Sequence, residues 1–204
     1  MDTKQKIILA AAEEFAEKGY QATTTRDICR KVKMNTAAAN YHFNTKQELY
    51  RQVFQYLFDT KAEKNPTADI KIESFKDWET NIRKWILDFL LSMTSSLPIY
   101  RWRTVLIARE MTNPSEIFPW LCDYYFKPFI VELQMYFEYI FPVRKKEEIL
   151  FEVFSLLSQC LFYVQNRSIA EYALGKQIYT KEKLSEIANH IFDSTTAKIN
   201  NRNL

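Results

Sequence analysis

Thr36-Ala37-Ala38-Ala39-Asn40-Tyr41-His42-Phe43-Asn44-Thr45-Lys46-Gln47-Glu48 is the stretch on which the reading of this chain turns. At about 100° per residue, Thr36, Ala37, Asn40 and Tyr41 fall on one helical stripe, and Ala38, Ala39, His42 and Phe43 on another. The first stripe is small and polar. Asn35 stands where an N-cap belongs, and Thr45-Lys46-Gln47-Glu48 has the capping-box pattern that opens a further helix. Short side chains let a helix settle deep in a major groove, where base edges are read, and the positive end of the helix favours phosphate.

Working outward, Ile8, Ala11, Ala12 and Phe15 recur at helical spacing through Lys4 to Lys18, and Gly19 follows where a helix would close. Thr24 with Asp27 then opens a helix of about two turns that ends near Val32. Four short helix signals in the first fifty residues predict a helix-turn-helix unit. From Tyr20 to Gln47, Arg26, Arg30, Lys31, Lys33 and Lys46 face Asp27 alone, a local charge of +4 where the whole chain carries +3. Basic charge is therefore concentrated on the segment expected to meet phosphate.

Composition narrows the alternatives. The 204 residues hold two glycines, so the glycine-rich loops of dinucleotide and P-loop sites cannot be written. Two histidines and three cysteines, Cys29, Cys122 and Cys160, offer no metal-ligand spacing, and neither a metal nor a cofactor is expected. An odd, scattered cysteine set reads as buried small hydrophobes in a reducing compartment, with thiol redox sensing left open. No basic-then-apolar leader opens the chain, and its apolar runs fall short of the ~18 residues that a membrane span needs. A soluble, cytoplasmic protein without membrane contact is expected.

Phe15-Ala16-Glu17-Lys18-Gly19-Tyr20, Ala22-Thr23-Thr24, Arg26-Asp27-Ile28 and the run from Ala38 to Tyr50 closely resemble the DNA-binding domain of TetR-family regulators. The resemblance covers nearly all of residues 5–54. It implies that Thr36, Ala37 and Asn40 face bases, while Thr25, Tyr41, His42 and Lys46 hold phosphates. Packing of Tyr41 and His42, and a capping role for Thr25, stand beside these roles. The turn before Thr36 usually carries glycine in this family. Here it carries Lys33, which is expected either to accept a positive φ or to add a phosphate contact.

The remaining sequence reads as helices over Thr45 to about Lys64, Ser74 to Thr94, Pro98 to Met111, Lys145 to Asn166, Ile169 to Leu174 and Thr180 to Asn200. Asn65-Pro66 is read as the break after the first of these, and Ser115 to Phe141 as a helix starting near Pro119 and kinked near Pro128. The expected fold is all-α, with a helix-turn-helix domain over 1–50 and a larger helical domain over 51–204. Leu106-Ile107-Ala108-Arg109-Glu110-Met111-Thr112-Asn113-Pro114-Ser115, Phe126-Lys127-Pro128 and Ile187-Ala188-Asn189-His190-Ile191 resemble the C-terminal domain of the CecR-like branch.

That resemblance implies a small-molecule effector and a homodimer formed by the last two long helices. Their apolar stripes place Val153, Leu157, Leu161, Leu184, Ile187 and Ile191 at the interface, with packing into the domain's own core as the alternative. Candidate effector-lining residues are Trp78, Trp85, Trp102, Trp120, Tyr124 and Tyr163, with Arg103 and Arg109, although aromatic stripes more often form core. A structural ion pair is the expected role for Arg109 and Glu110. The function read from the sequence is a dimeric repressor that leaves a palindromic operator on binding a small apolar or aromatic molecule. A helical carrier or enzyme for hydrophobic molecules is the alternative, though no catalytic constellation supports an enzyme.

Overall fold

Asp2 accepts from the Gln5 backbone N–H at 2.7 Å while the Gln5 side chain accepts from the Asp2 N–H at 3.4 Å. This reciprocal pair starts α1 (Thr3–Lys18), and Gly19 at φ 84 ends it. The computed structural model describes residues 1–58 and 72–200, with side chains as far as Ala197. After α1 come α2 (Thr25–Lys31), α3 (Thr36–Phe43), α4 (Lys46–Phe58), α5 (Phe75–Thr94), α6 (Pro98–Thr112) and α7 (Phe118–Leu121). Then follow α8 (Lys127–Ile140), α9 (Lys146–Gln165), α10 (Arg167–Leu174) and α11 (Lys181–Asn200). Among the described residues there is no strand, and the fold is all-α. The expected break at Asn65-Pro66 lies outside the described residues.

The interruption expected near Pro128 takes a specific form. Instead of one kinked helix, Cys122–Phe126 forms a π turn between α7 and α8. Proline at position 128 has no N–H for the carbonyl four residues earlier, so the ladder re-registers by one residue.

Two compact units form, and neither follows the chain order: α1–α4 with α6 and α7 make one, α5 with α8–α11 the other. The division read at residue 50 does not coincide with them. It would cut α4, whose Tyr50, Val53, Phe54 and Leu57 are buried where α4 packs on α1 and α6. In this first unit Phe15 meets Tyr50 edge-on at 4.6 Å, and Tyr20 stacks on Tyr50 at 4.7 Å. Such pairs add about 0.5–1.5 kcal/mol each beyond burial. The fully buried Thr23 hydroxyl is shared between the carbonyls of Gly19 at 2.8 Å and Glu14 at 3.2 Å, which fixes the chain between α1 and α2.

In the second unit α5 packs on α11 and α9, and α8 on α9. Trp78, Ile82, Ile86, Leu133, Phe137, Val153, Leu156, Leu184 and Ile191 share one apolar core. Arg83 on α5 bonds Asn189 and Asp193 on α11, each at 2.9 Å, with its guanidinium over the Phe192 ring.

Candidate nucleic-acid interface

The helix-turn-helix is held from beneath by α3's apolar stripe, with Ala39 1% and Phe43 2% exposed. Asn35 caps α3 by accepting from the Ala37 N–H at 3.1 Å. With that stripe buried, Thr36, Ala37, Asn40 and Tyr41 face outward, and Tyr41 is 84% exposed. His42 is half-buried and meets the Tyr41 ring edge-on at 5.1 Å. The tight turn before α3 places Lys33 at φ 55, the left-handed conformation that glycine takes without strain. Lys33 remains exposed.

Around this helix the cations separate into two groups. Lys31 reaches back to α1, pairing with Glu13 at 3.0 Å and Glu14 at 3.1 Å. Glu14 is buried, and the hydrogen bond from Lys18 at 2.5 Å, with help from Lys31, holds its carboxyl below the usual range. Arg30 pairs with Asp27. Arg26 and Lys33 make no ion pair among the described residues, and Arg26 stands exposed on the first turn of α2. Sequence reasoning did not single out Arg26; the cluster of basic residues was its signal. Thr25 is the first residue of α2 and half-buried, while its neighbour Thr24 is the cap, accepting from the Asp27 N–H at 3.1 Å.

Lys46, on the first turn of α4, lies over the Tyr20 ring at 4.3 Å and donates to the Gln21 carbonyl at 3.4 Å. Partial burial lowers its pKa. The ring and the carbonyl hold its ammonium against the segment between α1 and α2 rather than leaving it to sweep freely. Together the exposed polar stripe, the helix end and Arg26, Lys33 and Lys46 give one unit hydroxyl, amide and cationic donors.

Residues 7–53 match the bacterial regulatory proteins of the tetR family. Residues 79–200 match the C-terminal domain of the HTH-type transcriptional dual regulator CecR. This chain belongs to the TetR family. The biofilm operon icaADBC HTH-type negative transcriptional regulators IcaR of Staphylococcus aureus and Staphylococcus epidermidis are 43% and 41% identical to it over 56 residues. That match spans 28% of this chain and 30% of theirs. A HlyIIR mutant in which an internal segment is replaced by a linker shares the fold, with a TM-score of 0.60 at 19% identity over 93% of both chains.

The effector candidates of this TetR-family chain divide between its two units. Trp102, Arg103, Arg109 and Trp120 belong to the first, and Trp78, Trp85, Tyr124 and Tyr163 to the second. Trp102 is half-buried, and Trp120 lies beneath the Arg51 guanidinium at 5.2 Å. Arg103 is 1% exposed, over the rings of Phe58 and Tyr100 at 5.3 and 5.0 Å. Trp78 is fully buried and donates to the Tyr136 carbonyl at 2.8 Å; Trp85 donates to Glu132 at 3.0 Å. The Tyr163 carbonyl accepts from the Tyr179 hydroxyl at 2.6 Å, and Tyr124 is exposed.

Arg109 and Glu110 are not partners of each other, correcting the expected ion pair. A helix turns successive residues about 100° apart, and here the two face different neighbours. Arg109 donates to the carbonyls of Ala16 at 3.2 Å and Glu17 at 3.0 Å, a cation at the C-terminus of α1. Buried Glu110 accepts from the Tyr50 hydroxyl and from the Ser115 N–H, both at 3.0 Å.

The interface residues also need correction. Val153, Leu184, Ile187 and Ile191 are buried inside a single chain, at 0%, 2%, 9% and 1% exposure, and have almost no surface left for a second copy. Leu157 and Leu161 are partly buried. The intramolecular partner of this apolar stripe is α5, which periodicity alone does not identify. The large apolar side chains that α9 does expose are Phe151, Phe154 and Phe162. Among the described residues no helix is long and apolar enough to cross a membrane.

Proposed function

We propose that this TetR-family regulator is a dimeric repressor whose α3 reads a palindromic operator and whose operator affinity falls when a small apolar or aromatic molecule binds. The observation that carries DNA reading is the outward stripe of Thr36, Ala37, Asn40 and Tyr41 beside Arg26, Lys33 and Lys46. Thr36, Ala37 and Asn40 meet base edges; Thr25, Lys33, Tyr41, His42, Lys46 and Arg26 meet phosphates. The repressor sign follows the IcaR relatives, named as negative regulators. A cytoplasmic location goes with work on DNA.

Dimerisation is assigned to α9 with α11, through the exposed side of α9. Phe151, Phe154, Ser155, Ser158 and Phe162 recur at helical spacing on one face. The Ser155 and Ser158 hydroxyls donate to the Phe151 and Phe154 carbonyls of their own helix, at 2.8 and 2.7 Å. The face therefore asks no partner for a hydrogen bond and suits an isologous apolar contact. Release of DNA is a population shift set by the effector's differential affinity for two arrangements of the dimer.

A gel shift with DNA flanking the chain's own gene tests this reading. Sequence-specific retardation, reversed by a compound from a broad aromatic panel, is expected. A helical carrier would give no specific retardation.

A further inference from the structure

Glu132 on α8 is 2% exposed, and among the described residues its carboxylate accepts one hydrogen bond, from the Trp85 indole Nε1 to Oε2 at 3.0 Å. No described lysine or arginine forms an ion pair with it. Lys84, the cation whose field it feels, is exposed and paired with Asp88 at 2.6 Å. The need of Trp85 for an acceptor does not explain a charge, because the neighbouring Trp78 is satisfied by a neutral acceptor, the Tyr136 carbonyl. A buried carboxylate without a cation either keeps a proton or awaits a positive partner.

Its surroundings are aromatic. Trp85 stacks on Phe89 at 5.2 Å with 13° between the rings, and meets Phe129 edge-on at 6.4 Å. Phe129 lies three residues before Glu132, hence on the same face of α8. Phe89 and Phe129 are partly exposed at the rim of an otherwise buried core. The carboxylate bonded to the Trp85 indole, and the two rings packed on that indole, together offer the two attractions that an organic cation feels once out of water, Coulombic and cation–π.

We propose that Glu132, with the rings of Trp85, Phe89 and Phe129, forms a recognition site for a planar aromatic cation, the carboxylate taking the charge and the rings the flat body. The proposal names the chemical class of the effector and so rests on the ligand-gated reading above. Burial pushes the Glu132 carboxyl up to about 6, against the lowering effects of the Trp85 hydrogen bond and Lys84 on α5. Tyr136 on α8 is held neutral by burial, and α9 brings to the same core the Cys160 thiol, pushed up to about 12. The bound cation therefore competes with one proton, on Glu132.

The test is calorimetric titration of the full chain with two fixed cations, N-methylacridinium and N-methylquinolinium, and their neutral parents acridine and quinoline. At pH 7.5 at least one cation is expected to bind about tenfold or more tightly than its parent, a gap of about 1.4 kcal/mol. Glu132→Gln keeps an acceptor for the Trp85 indole and should abolish that preference. Wild-type affinity for the cation should fall about tenfold from pH 7.5 to 5.0 as the proton competes, and stay level in Glu132→Gln. Phe129→Leu, which retains the carboxylate, should weaken the cation while preserving the pH dependence. Parents binding as tightly as cations, a preference surviving in Glu132→Gln, or no binding by either cation would overturn the site. Operator release by the broad aromatic panel decides ligand gating separately, so either idea can fail without the other.

Discussion

The Tyr50 hydroxyl donates to Glu110 Oε1 at 3.0 Å, joining α4 to α6 across 60 residues of sequence. Both residues are 1% exposed, and burial together with Glu110 raises the phenol pKa, so Tyr50 stays a donor. Tyr50→Phe strips Glu110 of one of its two donors and should cost about 1–3 kcal/mol in urea unfolding. Glu110→Leu should cost at least as much, and the double variant less than the sum of the two. Strict additivity would mean that the bond contributes nothing as a pair.

Gly19 has φ 84 and ψ 165, and a Cβ placed there would sit 3.2 Å from Arg109 Nη1. Gly19→Ala should lose about 1–3 kcal/mol from backbone strain alone. Arg109→Ala should lose about 1 kcal/mol through the uncapped carbonyls of Ala16 and Glu17. Combined, the crowding disappears while the strain remains, so thermal melts should show the double variant more stable than the sum of single losses predicts.

Lys46→Ala should weaken binding to operator and random DNA alike and flatten the slope of log affinity against log salt by about one unit. Thr36→Ala should instead relax sequence preference at one base step. Wild-type behaviour of both across a salt series would remove α3 and α4 from the interface.

Phe154→Glu places a charge on an exposed face, so the protomer should stay folded while sedimentation shows the dimer dissociated. Ile191→Glu buries a charge in the intramolecular core and should unfold the protomer. An intact dimer of Phe154→Glu would relocate the interface away from this side of α9.

Glu132 supplies a pH signature. Its folded pKa, about 6, lies above the usual carboxylate value, so the folded state binds the proton more tightly than the unfolded chain. Its contribution to stability is therefore fully present below about pH 4.5, and is lost as pH rises through 6. Glu132→Gln should gain on the order of 1–2 kcal/mol at pH 8 relative to pH 4.5, when its unfolding free energy is compared with that of wild type. An identical pH dependence in the two proteins would show that Glu132 does not titrate in this range.

Local signals were enough for the N-terminal motif. Asn35, Thr24 and Gly19 are caps and stops whose hydrogen bonds span only a few residues, so the bounds of α1, α2 and α3 follow from neighbours in the chain. The two stripes of α3 were legible for the same reason: helical periodicity separates Ala39 and Phe43 from Thr36 and Asn40 before any partner is known.

Pairing across long separations was decided only in three dimensions. Periodicity says that Leu184 and Ile191 must be buried, but it does not distinguish α5 of the same chain from α9 of another, because both offer the same apolar chemistry. It likewise names Arg109, Glu110 and Lys31 as charges in need of partners without saying which. Their partners, the α1 carbonyls, the Tyr50 hydroxyl and the carboxylates of Glu13 and Glu14, came from helices that tertiary packing brought within hydrogen-bonding range. The burial of Glu132 belongs here too. Its sequence position on an amphipathic helix is that of any surface glutamate, and only the packing of α5 against α8 withdrew it from water.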